Sequence, residues 1–481
     1  MIDGSRKGNM INKLQIFKTK TMKSKIAIIV FALFMCVNTS FAQQDEECMT
    51  NLTIFNDAVK SKKYDQAYEP WMKVRNKCPK FNIAIYAYGE KILKHKIKNS
   101  TGAEQVAFIN DLLKLWEDRA EYYPSKTKKG EYMAKACQLM YDNRKAIGKS
   151  KAELYECFDV AYKADTATFT NPKSLYTYFS LLVDIFNDGK AEIQDVFNKY
   201  DDVSEKLDSE VKNYSQKLNK LIEKEEAGTA LTSKESKYKK SYNSYLSAYD
   251  KVAGSIDSKL GKLANCENLI PLYEKDFEEF KNDGVWLKRA VTRMANKDCT
   301  DSPLYIKLVK AYDEAAPSAD TKYYVGTLLD KEGKSSEAIK YYNQSIDLET
   351  DSYQKAKLLR RIGLKLKARK SYSQARTYFR RALKENPSMG ENHLSIAAMY
   401  AASANSCGDT TFNKRAVYWL AAQEARKAGR VNAKFKKSAA QSATSYEAKA
   451  PSRSDIFSAG NSGAKITIGC WINGSVTVPS L

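Results

Sequence analysis

A recurrence at helical-hairpin length constrains this chain more than any other feature. Gly326, Leu329, Ala338, Tyr342 and Ser345 are answered thirty-seven residues later by Gly363, Leu366, Ala375, Phe379 and Ala382, and Pro387 closes the second copy. Small residues mark where two antiparallel helices cross closely. On this reading Tyr378 and Phe379 fill the gap to the next hairpin, and Pro387 stops the second helix. One such hairpin cannot hide its own apolar face, so neighbouring copies must stack to bury it. Apolar residues make up 43% of the 481, enough for an extended core.

The segment Ala319–Pro387 resembles the tetratricopeptide repeat family, of an exported bacterial envelope type. The resemblance implies a right-handed superhelix of helical hairpins whose concave groove holds peptides or protein segments. A third unit carries Ala397 and Tyr400 in its first helix and Ala416 and Leu420 in its second, with extra residues around Cys407. Near the N-terminus, Cys48–Lys80 repeats the spacing through Tyr64, Ala67, Trp71, Val74 and Pro79, and a looser unit runs from Gly89 to Trp116 and Pro124. The expected fold is mainly α: an α-solenoid of tetratricopeptide-like helical hairpins, with an inserted antiparallel coiled-coil hairpin and a small C-terminal β-hairpin.

The insertion is read from two apolar stripes spaced by threes and fours. Ile193, Val196, Tyr200, Val203, Leu207, Val211, Tyr214, Leu218 and Leu221 form one; Tyr238, Tyr242, Tyr245, Tyr249, Val252, Ile256, Leu260 and Leu263 form the other. The arms would either protrude or fold back on the array. After the helices, 431–464 is rich in Ala, Ser and Lys and reads as a flexible linker. Ile466–Val478 then alternates about Asn473-Gly474, a two-residue hairpin signal. The expected organisation is 1–42 signal peptide with upstream extension, 43–128 N-terminal repeat-like hairpins, 129–190 helical hairpins and 191–264 coiled-coil arm. It continues with 265–316 helical hairpin, 317–430 repeats, 431–464 linker and 465–481 β-hairpin.

Met22-Lys23-Ser24-Lys25, the apolar run Ile26–Val37 and Ser40-Phe41-Ala42 have the three parts of a secretory signal, with cleavage after Ala42. Residues 1–21 precede this second start. Export to the periplasm or outer cell envelope follows, and no other segment is apolar enough to span a membrane. Apart from Cys36, eight cysteines remain, an even count that reads as disulfides in an exported chain. Sequential pairing is expected: Cys48–Cys78, Cys137–Cys157, Cys266–Cys299 and Cys407–Cys470, each contributing roughly 3–4 kcal/mol on the chain-entropy model. No Cys-x-x-Cys favours zinc instead.

The two histidines, His95 and His393, stand nearly 300 residues apart, and no nucleophile, metal or phosphate-loop motif accompanies them. No catalytic residue, metal or cofactor is therefore expected, and the chain reads as no enzyme. The tyrosines of Lys237–Tyr249 follow the coiled-coil seam, as core packing requires, and export removes nucleic acid as a partner. One constellation stands out: twelve Lys or Arg and no acidic residue between Lys355 and Lys384, in a chain of net charge +22. By the resemblance, Lys357, Arg360, Leu364 and Lys367 look into the groove, beside Tyr323 and Thr327 of the preceding repeat. Cations beside apolar groups suit an acidic peptide or a C-terminal carboxylate. The expected function is an exported protein–protein interaction scaffold in envelope assembly, secretion or complex organisation. Recognition of anionic glycan or lipid headgroups through net charge is the alternative.

Overall fold

The computed structural model describes residues 46–261 and 263–481, and the expected signal peptide with its cleavage after Ala42 lies outside them. Two compact units divide at Ser174/Leu175.

The first unit is built of helices α1 (46–60), α2 (Tyr64–Lys77), α3 (Ala84–Asn99), α4 (Gly102–Tyr122), α5 (Lys129–Asp142) and α6 (Lys151–Ala164). Its core gathers Phe55, Trp71, Ile85, Tyr86, Leu93, Leu112 and Trp116. Trp71 lies flat against α3 because position 89 is glycine: a Cβ there would stand 2.6 Å from the indole. The indole N–H donates to the Ile85 carbonyl at 2.7 Å, so this large ring is buried without an orphaned donor. Beside it the buried Arg75 pairs with Asp111 at 2.5 Å and Asp118 at 3.2 Å. Disulfides Cys48–Cys78 and Cys137–Cys157 close the α1/α2 and α5/α6 hairpins, with Cα atoms 6.5 and 5.7 Å apart.

The second unit begins within α7 (Pro172–Asn187) and continues with α8 (Ile193–Glu226), α9 (Ser233–Leu260), α10 (Cys266–Phe280), α11 (Gly284–Asn296) and α12 (Pro303–Ala315). The paired helices α13 (Ala319–Lys331) with α14 (Ser335–Leu348), and α15 (Ser352–Ala368) with α16 (Tyr372–Glu385), are the two recurrent hairpins. They are followed by α17 (Gly390–Ala402), α18 (Thr411–Val431), α19 (Lys436–Glu447) and α20 (Arg453–Ala459), then β1 (Lys465–Ile468) and β2 (Gly474–Thr477). The recurrence has one physical cause in both hairpins. A Cβ on Gly326 would stand 2.7 Å from the Tyr342 ring, and one on Gly363 would stand 2.9 Å from Phe379. The aromatic ring of the second helix thus occupies the space a side chain would need on the first. Phe379 fills its own hairpin rather than the gap to the next, and Tyr378 turns back to donate to Asn343 of α14 at 3.2 Å.

Several expectations need correction. Residues 265–316 hold three helices, not one hairpin; the Cys266–Cys299 bridge closes α10 and α11, and α12 follows behind Pro303. The segment 431–464 is no flexible linker: α19 and α20 fold there and bury Ala439, Ala443 and Ile456, and Ala450 between them is buried as well. Alanine is the strongest helix former, and its methyls are small enough to pack on Ala422 and Ala425 of α18. Strands β1 and β2 pair antiparallel with Ile468 opposite Gly474, so five residues, 469–473, make the connection in place of an Asn473-Gly474 turn. Cys470 in that loop is bonded to Cys407, and Trp471 packs on Tyr400 and Tyr372 and donates to Ser403 at 2.9 Å. These anchors hold the loop open.

The helices α8 and α9 form an antiparallel pair, and α8 would be about 50 Å long at 1.5 Å per residue. Thr232 and Glu235 cap the start of α9 reciprocally. The seam includes Val203, Leu207, Leu218, Tyr249, Ile256 and Leu260, but Leu246 is buried where Tyr245 was expected. Tyr238 and Tyr245 are exposed instead; Tyr245 stacks on Tyr214 at 4.6 Å. The pair folds back on the array. Leu218, Ile222 and Leu246 pack with Val431, the Ser388 N–H donates to Asn219 at 3.0 Å, and the Ala433 N–H donates to Asn243 at 2.8 Å.

Candidate functional site

Asp351 caps α15 by accepting from the Gln354 N–H at 3.0 Å. The helix then buries Tyr353, Ala356, Leu359, Ile362, Gly363 and Leu366. Its remaining positions carry Lys357, Arg360, Leu364 and Lys367, spaced so that all fall near one stripe. Arg360 and Lys357 line a cavity of about 440 Å³ between α15 and the α8/α9 arm. The structure therefore brings these cations together on a partly exposed face.

It does not leave them all free. Asp208 of α8 enters the cavity and accepts from Tyr353 at 3.0 Å, Gln354 at 3.2 Å and Lys357 at 2.7 Å. Burial pushes the Asp208 carboxyl up, but the Lys357 charge and these hydrogen bonds outweigh it and hold the group below the usual carboxylate range. Lys357 is thus engaged by the chain's own arm. Tyr323 and Thr327 are not groove residues either. Both are buried: Tyr323 packs on Tyr342 and lies under Arg361 at 4.2 Å, and the Thr327 hydroxyl donates to the Tyr324 carbonyl. The resemblance to the repeat family points them to the groove, but residues 323 and 327 share one face of α13, and that face packs inside the array.

Arg360, Leu364 and Lys367 remain half-exposed. Arg360 approaches Glu391 only at 3.7 Å, and Lys367 is held below its ordinary pKa by burial and by the neighbouring Arg360 charge. Much of the basic run elsewhere is balanced. Arg361 pairs with Asp320 at 3.1 Å, Arg369 with Asp330, and Arg376 donates to the Ile472 carbonyl.

A second cluster was not visible in sequence. Glu424, nearly sealed from solvent, accepts from His393 Nδ1 at 2.6 Å, Arg380 at 2.8 Å and Lys427 at 3.0 Å. Burial pushes this carboxyl up, yet the hydrogen bonds from His393 and Arg380 bring it to about 2. His393 is thus tied into a buried ionic cluster. Its partner lies thirty-one residues away on another helix, and no local motif announces it. Among the described residues, no group of three or more His, Cys, Asp and Glu could hold a metal ion, and no helix is long and apolar enough to cross a membrane.

No family model matches the chain. Among curated proteins, photosystem I assembly protein Ycf3 of Cuscuta gronovii is 30% identical over 110 residues, covering 21% of this chain and 66% of the relative. The same protein of Cuscuta obtusiflora matches equally. The chain spans just under two thirds of the length of these relatives. Among solved structures, a tetratricopeptide repeat protein of Parabacteroides merdae aligns over 65% of this chain and 97% of its own, at 10% identity and TM-score 0.24. The human IFIT1 dimer with PPP-AAAA aligns over 84% and 94% at 10% identity and TM-score 0.27, and yeast Tom70 over 87% and 99% at 12% and 0.24. Gly326 under Tyr342 and Gly363 under Phe379 repeat one packing in consecutive helical hairpins, and this is what makes the segment similar to tetratricopeptide repeat proteins.

Proposed function

We propose that this chain is an exported, non-enzymatic scaffold of the periplasm or outer cell envelope, which takes up a segment of another protein and helps assemble or position an envelope complex. The observation that carries the reading is the α15 face. Arg360 and Lys367 stand close enough for one charge to lower the other's pKa, with Leu364 between them. Like charges held together gain most from an anion that neutralises both, and an acidic side chain or a terminal carboxylate beside an apolar group supplies that. Four disulfides support an oxidising compartment. The matched Cuscuta relative is named for assembly of another complex, which accords with an assembly role.

Crosslinking and affinity purification of the native protein from envelopes tests the proposal. The R360E/K367E variant should keep its melting temperature and lose the captured partner. Unchanged capture would retire the α15 assignment.

A further inference from the structure

Where the arm passes the last hairpins, three clefts of about 720, 670 and 840 Å³ share Arg430, at the C-terminal end of α18. Lys384 lines the first, Lys436 the second and third, and Lys240 and Lys251 the third. All five cations are exposed. Among the described residues none of the five makes an ion pair or side-chain hydrogen bond. Their neighbours differ: Arg380 and Lys427 are held by Glu424, Lys239 by Glu225, and Lys434 by Asp250. The nearby carboxylates are thus largely engaged; Glu226, which also lines the first cleft, is outnumbered. The same cleft has an apolar floor of Ile222, Leu383, Pro387 and Val431.

We infer that this basin is a second docking site, on helices other than α15, for an acidic segment of a partner protein that also carries apolar side chains. Carboxylates would bridge Arg430, Lys384 and Lys436, with Arg430 offering a bidentate fork. An apolar side chain would cover Leu383, Pro387 and Val431. An anionic glycan or a lipid headgroup could meet the cations, but it has no apolar group for that floor, so the mixed lining favours protein. The inference rests on the scaffold reading, not on the α15 face.

The test is fluorescence anisotropy of the full chain with a labelled synthetic peptide of Asp and Glu interspersed with Leu. Heparin and phosphatidylglycerol vesicles serve as competing probes. The K384E/R430E variant should bind the peptide about tenfold or more weakly, while K126E/K145E, with the same change in charge on exposed lysines of the first unit, should stay within about twofold of the parent. Replacing Leu by Ser in the peptide should weaken binding severalfold. Equal losses in both variants would reduce the effect to net charge and overturn the site. Heparin or vesicle binding lost in K384E/R430E, with peptide binding intact, would overturn the occupant. If K384E/R430E still binds peptide as the parent does while envelope capture persists, the basin falls and the scaffold stands. If the parent binds peptide through the basin but captures no envelope protein, the scaffold reading falls alone.

Discussion

Replacing Gly363 by Ala adds one methyl to a helix interior, where alanine ordinarily stabilises by about 0.5–1 kcal/mol. Here the methyl would meet the Phe379 ring at 2.9, 3.0 and 3.2 Å, all inside ordinary van der Waals contact. Phe379 is fully buried, so the ring can yield only by shifting α16 or leaving its rotamer. Overpacking of this kind costs about 1–3 kcal/mol. After the helix gain, a net loss of about 1 kcal/mol is expected. Gly254, in the exposed interior of α9, has nothing within 4 Å of its would-be Cβ, so G254A should show the gain alone. Urea unfolding followed by circular dichroism reads both, and F379L completes a double-mutant cycle. In G363A/F379L the smaller side chain makes room, and the double variant should recover about 1 kcal/mol relative to the sum of the singles. The reasoning fails if G363A is as stable as the parent, or if the two changes add without coupling.

Acid should find the Glu424 cluster. With its folded pKa at about 2 against an ordinary 4.5, Glu424 contributes roughly 3 kcal/mol that is fully present above pH 4.5 and lost as the pH falls towards 2. Melting temperatures between pH 5 and pH 2 should therefore drop more steeply in the parent than in E424Q, and parallel curves would refute this. Removing the Cys407–Cys470 bridge, which spans 63 residues, should cost roughly 4 kcal/mol and shift Trp471 fluorescence to the red as the hairpin loosens. In D208A the hydrogen bonds to Tyr353, Gln354 and Lys357 are lost, and amides of α8 should exchange faster while those of α3 do not change. Thiol titration of the denatured, unreduced protein should leave the eight cysteines from Cys48 to Cys470 unreactive.

How far the sequence carried the fold depended on the range of each interaction. The recurrence of Gly326 and Tyr342 in Gly363 and Phe379 lies within one hairpin length, so spacing exposes the repeat, but it points Phe379 to the next hairpin when the ring in fact packs on Gly363 of its own. The arm was legible as two apolar stripes, but its resting place was not. Asp208 meets Tyr353 across 145 residues, and only folding brings them together. The Ala-rich stretch after Val431 misled because composition was read without asking what methyl-sized side chains can pack against. Charge density, which survives in the sequence, marks the basic run, and the family resemblance singles out Lys357, Arg360 and Lys367 within it. Tyr323 and Thr327 were placed by the repeat family's groove positions, whereas in this chain their shared face of α13 is the packed one. Arg430 was passed over because its unpaired neighbours come from three other helices, α9, α16 and α19.

Arrays of stacked hairpins usually deform like springs, since each unit touches only the next. The α8/α9 pair alters that mechanics in the second unit. It is fastened near one end to α11, where Arg289 meets Asp202 and Glu205, and further along to α15, Ser388 and Lys434. A strut pinned at such widely separated stations stiffens whatever it crosses. Pulling on this part of the molecule should meet one abrupt yield as the strut lets go, in place of the stepwise give of an unbraced coil.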